Sequence, residues 1–266
     1  SYAITAERAT NGSVSVSPSR GSAGSTETVT VKPDKGYELG TLTVTDNDGD
    51  RITLTDKGNG KYTFTMPRGA VTVKATFVEE TVDTGYSDVS ASAWYADAVA
   101  YVTDNGMMQG NAGRFMPNDN LDRAMMAQIL YNLEDNPAAN RGSAFGDVGS
   151  GSWYADAVAW ASANSVITGY DNGNYGPNDS ITREQMALML YRYAALKGYD
   201  TNQSGAGLTG FADAESVSSW ASEGMTWAVN AGVINGKDGN RLDPQGTATR
   251  AEVAQVLMNF GQNVMP

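Results

Sequence analysis

One arrangement of residues recurs three times along residues 86–261, almost without gaps. Asp88 and Asp147 lie 59 residues apart, as do Trp94 and Trp153, and Gly110 and Gly169. Trp153 to Trp220, Gly169 to Gly236, Pro177 to Pro244 and Arg183 to Arg250 are each separated by 67. A stretch that recurs in register folds into the same local unit each time. The copies run over 86–134, 145–196 and 211–261. Loops rich in Gly, Asn, Asp and Ser join them, at Asp135–Ala144 and Lys197–Gly210.

Each copy has the same parts in the same order. An aromatic-x-Asp start comes first, with Tyr86/Asp88, Phe145/Asp147 and Phe211/Asp213. A helix is predicted to open at Trp94, Trp153 and Trp220. Trp94, Ala98 and Tyr101 then share a face at i, i+4 and i+7, which reads the tryptophans as core anchors. The competing reading is an exposed indole stacked on a sugar. Gly110, Gly169 and Gly236 follow, serving a turn or letting a sugar approach bare backbone. After an irregular stretch carrying Pro117, Pro177 or Pro244 comes the second helix, with Met126, Ile129, Leu130 and Leu133 on one face in copy one.

An arginine stands just inside each second helix: Arg123, Arg183 and Arg250. The first turn of a helix carries partial positive charge, so a cation is mildly penalised there. Its neighbours are ordinary capping chemistry. Thr182 with Gln185 and Thr249 with Glu252 have capping-box spacing, and Asp122 is a good cap in copy one. The guanidinium is left over. Either it pairs with an acid such as Asp88, Asp147 or Asp213, or its planar fork clamps a ligand carboxylate beside helix N-terminal amides. The three aspartates read equally as caps or ion-pair partners.

Residues 1–80 alternate apolar and polar side chains over Ser13–Val16, Thr26–Val31, Thr41–Thr45, Arg51–Thr55, Lys61–Met66 and Val71–Phe77. Asp46–Gly49 and Lys57–Gly60 separate them as hairpin turns, so a small antiparallel β domain is expected. Asp46, Asp48 and Asp50 resemble a calcium loop only superficially, lacking the later Glu; a plain turn is the better reading. Residues 81–85 form a short polar linker.

Composition narrows the function. The net charge is −12, of which residues 81–266 hold −11, so nucleic acid and anionic membrane surfaces are poor partners. The absence of Cys and His excludes disulfides, thiolate zinc sites and His-based triads. No metal or cofactor is called for. No apolar run approaches the ~18–20 residues of a membrane span. The chain begins at Ser1 and shows no signal peptide, which suggests a mature or excised piece of something longer.

The order F-x-D, W-Y-x-x-A-V, Gly, F-x-P and T-R-x-E resembles the S-layer homology (SLH) domain, in three tandem copies over 86–266. GYELGTLTV, YTFTMP and VTVKATF resemble divergent internalin B-repeats, modules that usually act as spacers. The resemblance implies a multi-domain protein: an all-β domain, then an all-α pseudo-threefold unit of three helix–loop–helix repeats, monomeric. It implies a non-enzymatic module, secreted to the bacterial cell wall. Its grooves would bind pyruvate-capped secondary cell-wall polysaccharide. Candidate ligand residues are then Arg123, Arg183, Arg250, Asp88, Asp147, Asp213, Gly110, Gly169, Gly236, Trp94, Trp153 and Trp220. Copy one departs from the pattern at Asp122 and Met125, so a weaker site is expected around Arg123. Copy three has Ala221 in place of Tyr95 and Tyr154. The alternatives are a protein–protein or self-assembly module without glycan, and a two-carboxylate glycoside hydrolase, for which no acid pair stands out.

Overall fold

A computed structural model describes residues 1–80, 82–139, 144–202 and 204–266. Thr81 of the expected linker, residues 140–143 of the first loop and Gln203 of the second lie outside the described residues. The chain divides into two compact units, Ser1–Thr81 and Val82–Pro266.

The first unit holds two four-stranded sheets. Strands β1 (Tyr2–Ala6), β3 (Arg20–Gly21), β5 (Tyr37–Thr45) and β8 (Val71–Glu79) form one, in the order β3-β1-β8-β5. Strands β2 (Gly12–Ser17), β4 (Thr26–Pro33), β6 (Thr55–Gly58) and β7 (Lys61–Thr65) form the other, in the order β2-β4-β7-β6. Alternation directs Ile4, Val29, Val31, Val44, Phe64, Val71 and Val73 into one core. Two expectations are corrected. β1 pairs with β8 in parallel, so the unit is not wholly antiparallel. Arg51–Thr55 is no strand: Arg51 bridges to Thr45, and regular pairing starts only at Thr55. The aspartate cluster is a turn, with Asp46 Oδ1 accepting from the N–H groups of Asp48 (3.0 Å) and Asp50 (2.9 Å). Asn59 and Gly60, at φ +52° and +70°, make the tight β6–β7 hairpin.

Among the described residues the second unit carries six α-helices, α1 (Ala96–Asp104), α2 (Arg123–Asn132), α3 (Ala155–Ala163), α4 (Arg183–Lys197), α5 (Ser222–Asn230) and α6 (Arg250–Asn263), with 3-10 turns at Ala214–Ser216 and Ser219–Ala221. The second helix of each copy packs on the first helix of the next: α2 on α3, α4 on α5, and α6 back on α1. Their shared core includes Val99, Met126, Leu130, Trp160, Leu190, Trp227, Leu257 and Phe260.

The all-α expectation for this unit is corrected. The described residues mix six α-helices with two sheets, and within Val82–Pro266 the copies are joined by extended backbone as well as by helices. The residues just before the caps form a closed ring of hydrogen bonds. Leu121 N–H donates to Ala248 O (3.0 Å), Ala248 N–H to Ile181 O (3.2 Å), and Ile181 N–H to Leu121 O (2.8 Å). Short bridges at Asn120–Thr249, Asp122–Ser180 and Thr182–Thr247 repeat that cyclic order. All three ring residues are buried, so each amide must find a partner; no copy can satisfy the ring alone.

Candidate functional site

The caps build each arginine's setting. Thr182 Oγ1 accepts from Gln185 N–H, and the Gln185 side chain accepts from Thr182 N–H; Thr249 and Glu252 do the same. Asp122 accepts from Met125 N–H (2.6 Å). The first two helical amides go to the Pro loop of another copy. Arg123 and Ala124 donate to Asp179 O and Pro177 O, Arg183 and Glu184 to Gly246 O and Pro244 O, and Arg250 and Ala251 to Asp119 O and Pro117 O. The helix start is therefore spent on the protein and offers no free amides to an anion. This corrects the expectation of a helix-terminus clamp.

The arginines themselves are buried and cross to the same loop. Nε of Arg123 donates to Tyr175 O (2.8 Å), that of Arg183 to Leu242 O (2.7 Å) and that of Arg250 to Phe115 O (2.7 Å). Nη2 donates to Thr168 O (3.3 Å), Asn235 O (2.8 Å) and Gln109 O (2.8 Å), respectively. Ring faces pack on two of them: Arg123 lies 4.7 Å from the Tyr170 centroid and 4.6 Å from that of Tyr175, and Arg250 lies 4.7 Å from Phe115. Among the described residues none of the three forms an ion pair with a carboxylate. Nη1 bonds to nothing there, yet no buried side-chain nitrogen is left unpartnered. Nη1 therefore keeps some exposure to solvent and leaves an edge of each fork open to a ligand. Burial works to lower the pKa of Arg183 and Arg250, with partial relief from Glu252 for the first and Asp119 for the second; guanidinium stays charged regardless.

The aspartates hold the other side of the same peptides. Asp88 accepts from the N–H groups of Phe115 and Met116, Asp147 from Tyr175 and Gly176, and Asp213 from Leu242 and Asp243, all at 2.7–2.8 Å. Met116, Gly176 and Asp243 all have positive φ, so these bonds pin a turn that a non-glycine residue resists. Burial opposes the charge on each aspartate, but the paired backbone N–H groups outweigh it and hold the carboxyls below their usual range. Arg114 adds to this at Asp88 (3.5 Å) and Arg241 at Asp213 (3.7 Å). Phe115, Tyr175 and Leu242 are thus gripped at N–H by an aspartate of their own copy and at C=O by an arginine of another.

The glycines permit close approach. A Cβ on Gly169 would strike the Phe145 ring and come within 2.6 Å of Asn174 O; on Gly110 it would meet Tyr86 and Arg114 O, and on Gly236 it would lie 2.7 Å from Phe211. None of the three has positive φ, so contact rather than turn geometry requires glycine.

The tryptophans depart from the helical reading. The α-helices begin at Ala96, Ala155 and Ser222, two residues beyond each Trp, so the α-helical phase does not reach them; Trp220 sits instead in a 3-10 turn, Ser219–Ala221. Trp94, Trp153 and Trp220 remain 64%, 61% and 53% exposed. Tyr95 and Tyr154 pack edge-on against the first two; Ala221 gives Trp220 no such neighbour. Trp160 and Trp227, inside α3 and α5, are the buried pair.

These parts converge in grooves between copies. One, of about 650 Å³, combines Arg123 from copy one, Thr168–Asn172 and Gln185 from copy two, and Trp220 from copy three. Another, of about 500 Å³, combines Arg250 from copy three, Met107–Gln109 and Met125 from copy one, and Trp153 from copy two. Each arginine thus meets the cap region of the following copy, not its own. Asp122 illustrates the offset: burial raises its carboxyl pKa, and the arginine it acts on is Arg250, not its sequence neighbour Arg123. At the equivalent place in copy three, Lys237 bridges Asp243 (3.3 Å) and Glu252 (3.1 Å), and Glu252 acts on Arg183. Sequence reasoning missed the carbonyl acceptors of Gln109, Thr168 and Asn235, whose side-chain types carry no shared signal. It also missed Arg192, which breaks a Gln-x-x-x-Asn spacing shared by the other two copies.

Residues 85–127, 144–187 and 210–254 match the S-layer homology domain, and residues 2–81 the divergent InlB B-repeat domain. The amylopullulanase of Thermoanaerobacterium thermosulfurigenes is 32% identical over 195 residues, covering 71% of this chain and 10% of that protein. The surface-layer 125 kDa protein of Lysinibacillus sphaericus is 30% identical over 216 residues (79% and 18%), and S-layer protein sap of Bacillus anthracis 36% over 177 (65% and 20%). The chain therefore spans between a tenth and a fifth of the length of these relatives. No helix among the described residues is long and apolar enough to cross a membrane. The domains place the protein at the bacterial cell surface, secreted and wall-associated. The chain carries three tandem S-layer homology domains behind one divergent InlB B-repeat domain.

Proposed function

We propose that residues 82–266 anchor their parent protein to the cell wall non-covalently, by binding acidic, pyruvylated secondary cell-wall polysaccharide in the grooves between copies. The observation that carries this reading is the composition of each groove. A cation from one copy, polar backbone from a second and an exposed indole from a third converge on one cavity. A guanidinium edge suits a carboxylate, and an indole suits the apolar face of a sugar. More than one such groove on a single body gains avidity along a repeating polymer. The role requires no catalysis. In a relative such as the amylopullulanase, the shared segment is a small part of the chain, and we assign it the anchoring role. The β unit is proposed as a spacer.

The test is co-sedimentation of the full chain with isolated bacterial walls, before and after the non-peptidoglycan polysaccharide is stripped. The chain should pellet with native walls and stay soluble with stripped ones. Undiminished binding to stripped walls would refute the polysaccharide reading and favour a protein or peptidoglycan partner.

A further inference from the structure

The grooves are not equivalent, and one residue sets the Arg123 groove apart. In α2, Gln128 Nε2 donates to Asn132 Oδ1 (2.8 Å), and in α6 Gln255 Nε2 donates to Asn259 Oδ1 (3.0 Å). The corresponding residues of α4 are Leu188 and Arg192, and both line the Arg123 groove. Arg192 is half-buried and forms no ion pair among the described residues. Its Nη1 donates to Thr168 Oγ1 (3.4 Å), while Arg123 Nη2 donates to Thr168 O (3.3 Å). Two guanidinium groups from different copies therefore meet on one threonine. Like charges this close repel unless an anion lies between them. Asp171 lines this groove, exposed on its rim; Asp147 also acts on Arg123, with its oxygens held by the N–H groups of Tyr175 and Gly176; the N3 residue facing Arg123 is the neutral Gln185. It is in the cap region that the settings differ: Asp122 acts there on Arg250 and Glu252 on Arg183, whereas Thr182 and Gln185 are neutral.

We infer that Arg192 and Arg123 jointly bind the carboxylate of an acidic sugar, which makes this groove the tightest acidic-glycan site in the chain. The inference deepens the wall-anchoring reading and rests on it. It reverses the ranking expected from sequence, in which Asp122 beside Arg123 weakened that site. Arg192 is the specificity-determining residue: it selects for the acid group, whereas the sugar ring meets Trp220.

The experiment is calorimetric titration of the full chain with soluble wall-polysaccharide fragments, native and depyruvylated. Arg192→Asn installs the residue that α2 and α6 carry, and Leu188→Gln with Arg192→Asn restores their whole pair should the single variant fold poorly. Loss of one charge-assisted contact should weaken native-fragment binding about tenfold or more, at an unchanged unfolding midpoint. Binding of the depyruvylated fragment should barely change, and Arg192→Lys should recover part of the loss. Either Asn variant binding both fragments as the unaltered chain does would overturn the inference while leaving wall anchoring intact. An unaltered chain that binds neither fragment takes down the anchoring reading, and this inference with it.

Discussion

Replacing Arg183 by Met separates the structural role of the arginines from their ligand role. The stem and most of the volume remain, but two donors vanish. Leu242 O loses its bond from Nε (2.7 Å) and Asn235 O its bond from Nη2 (2.8 Å). Hydrogen bonds to a charged group contribute ~1.5–3 kcal/mol each. Relief of the buried cation's desolvation offsets part of this, leaving about 3 kcal/mol. That is a large share of a typical stability of ~5–15 kcal/mol. All five tryptophans lie in residues 82–266, so fluorescence during urea unfolding reports that unit alone. With a slope of about 2 kcal/mol/M, the midpoint should fall by roughly 1.5 M. Trp153→Ala, at a ring 61% exposed, should leave the midpoint nearly unchanged. An Arg183→Met midpoint equal to that of the unaltered chain would refute the assignment of this arginine to the two carbonyls. A further consequence is that glycan loss on Arg→Ala substitution cannot be taken as loss of a ligand contact unless stability is matched.

Three other outcomes are expected. Asp88, Asp147 and Asp213 have folded carboxyl pKa values below the ordinary aspartate range, so their stabilisation is complete above the unfolded-state pKa and is lost as pH falls from there through the lower folded-state pKa. The urea midpoint should decline below about pH 4, and Asp147→Asn should flatten that decline; a midpoint independent of pH from 2 to 6 contradicts this. Gly169→Ala forces a Cβ against Phe145 and Asn174 O, which should cost ~1–3 kcal/mol as overpacking; thermal melting checks it, and an unchanged melt contradicts it. Asp122→Asn keeps the cap and removes the carboxylate that acts on Arg250. It should leave stability equal or higher and tighten anionic-fragment binding in the Arg250 groove, as seen in resonances of Trp153; unchanged affinity there contradicts it.

Local chemistry was legible in the sequence. The capping boxes at Thr182 and Thr249 depend on residues three apart, and the turn at Asp46 on residues within four. What depends on chain closure was not. The parallel pairing of β1 with β8 joins opposite ends of the first unit. The ring through Leu121, Ile181 and Ala248 gives no side-chain signal, because its bonds are backbone to backbone. Trp94 misled for a local reason: helical phase was extended two residues past the true helix start. The arginines misled for a distant one. Nothing near Arg123 in sequence indicates that its Nε and Nη2 are committed to Tyr175 and Thr168, or that Asp122 faces a different groove.

The central claim is that an acidic wall glycan sits in grooves walled by separate copies. Indole resonances test it most directly, because the five tryptophans divide into three exposed and two buried rings. Soluble pyruvylated fragments of wall polysaccharide are titrated into the labelled full chain. The indole N–H signals of Trp220 and Trp153 should move, those of Trp160 and Trp227 should stay, and depyruvylated fragments should produce much smaller shifts. Saturable binding that leaves Trp220 and Trp153 unmoved would contradict the account.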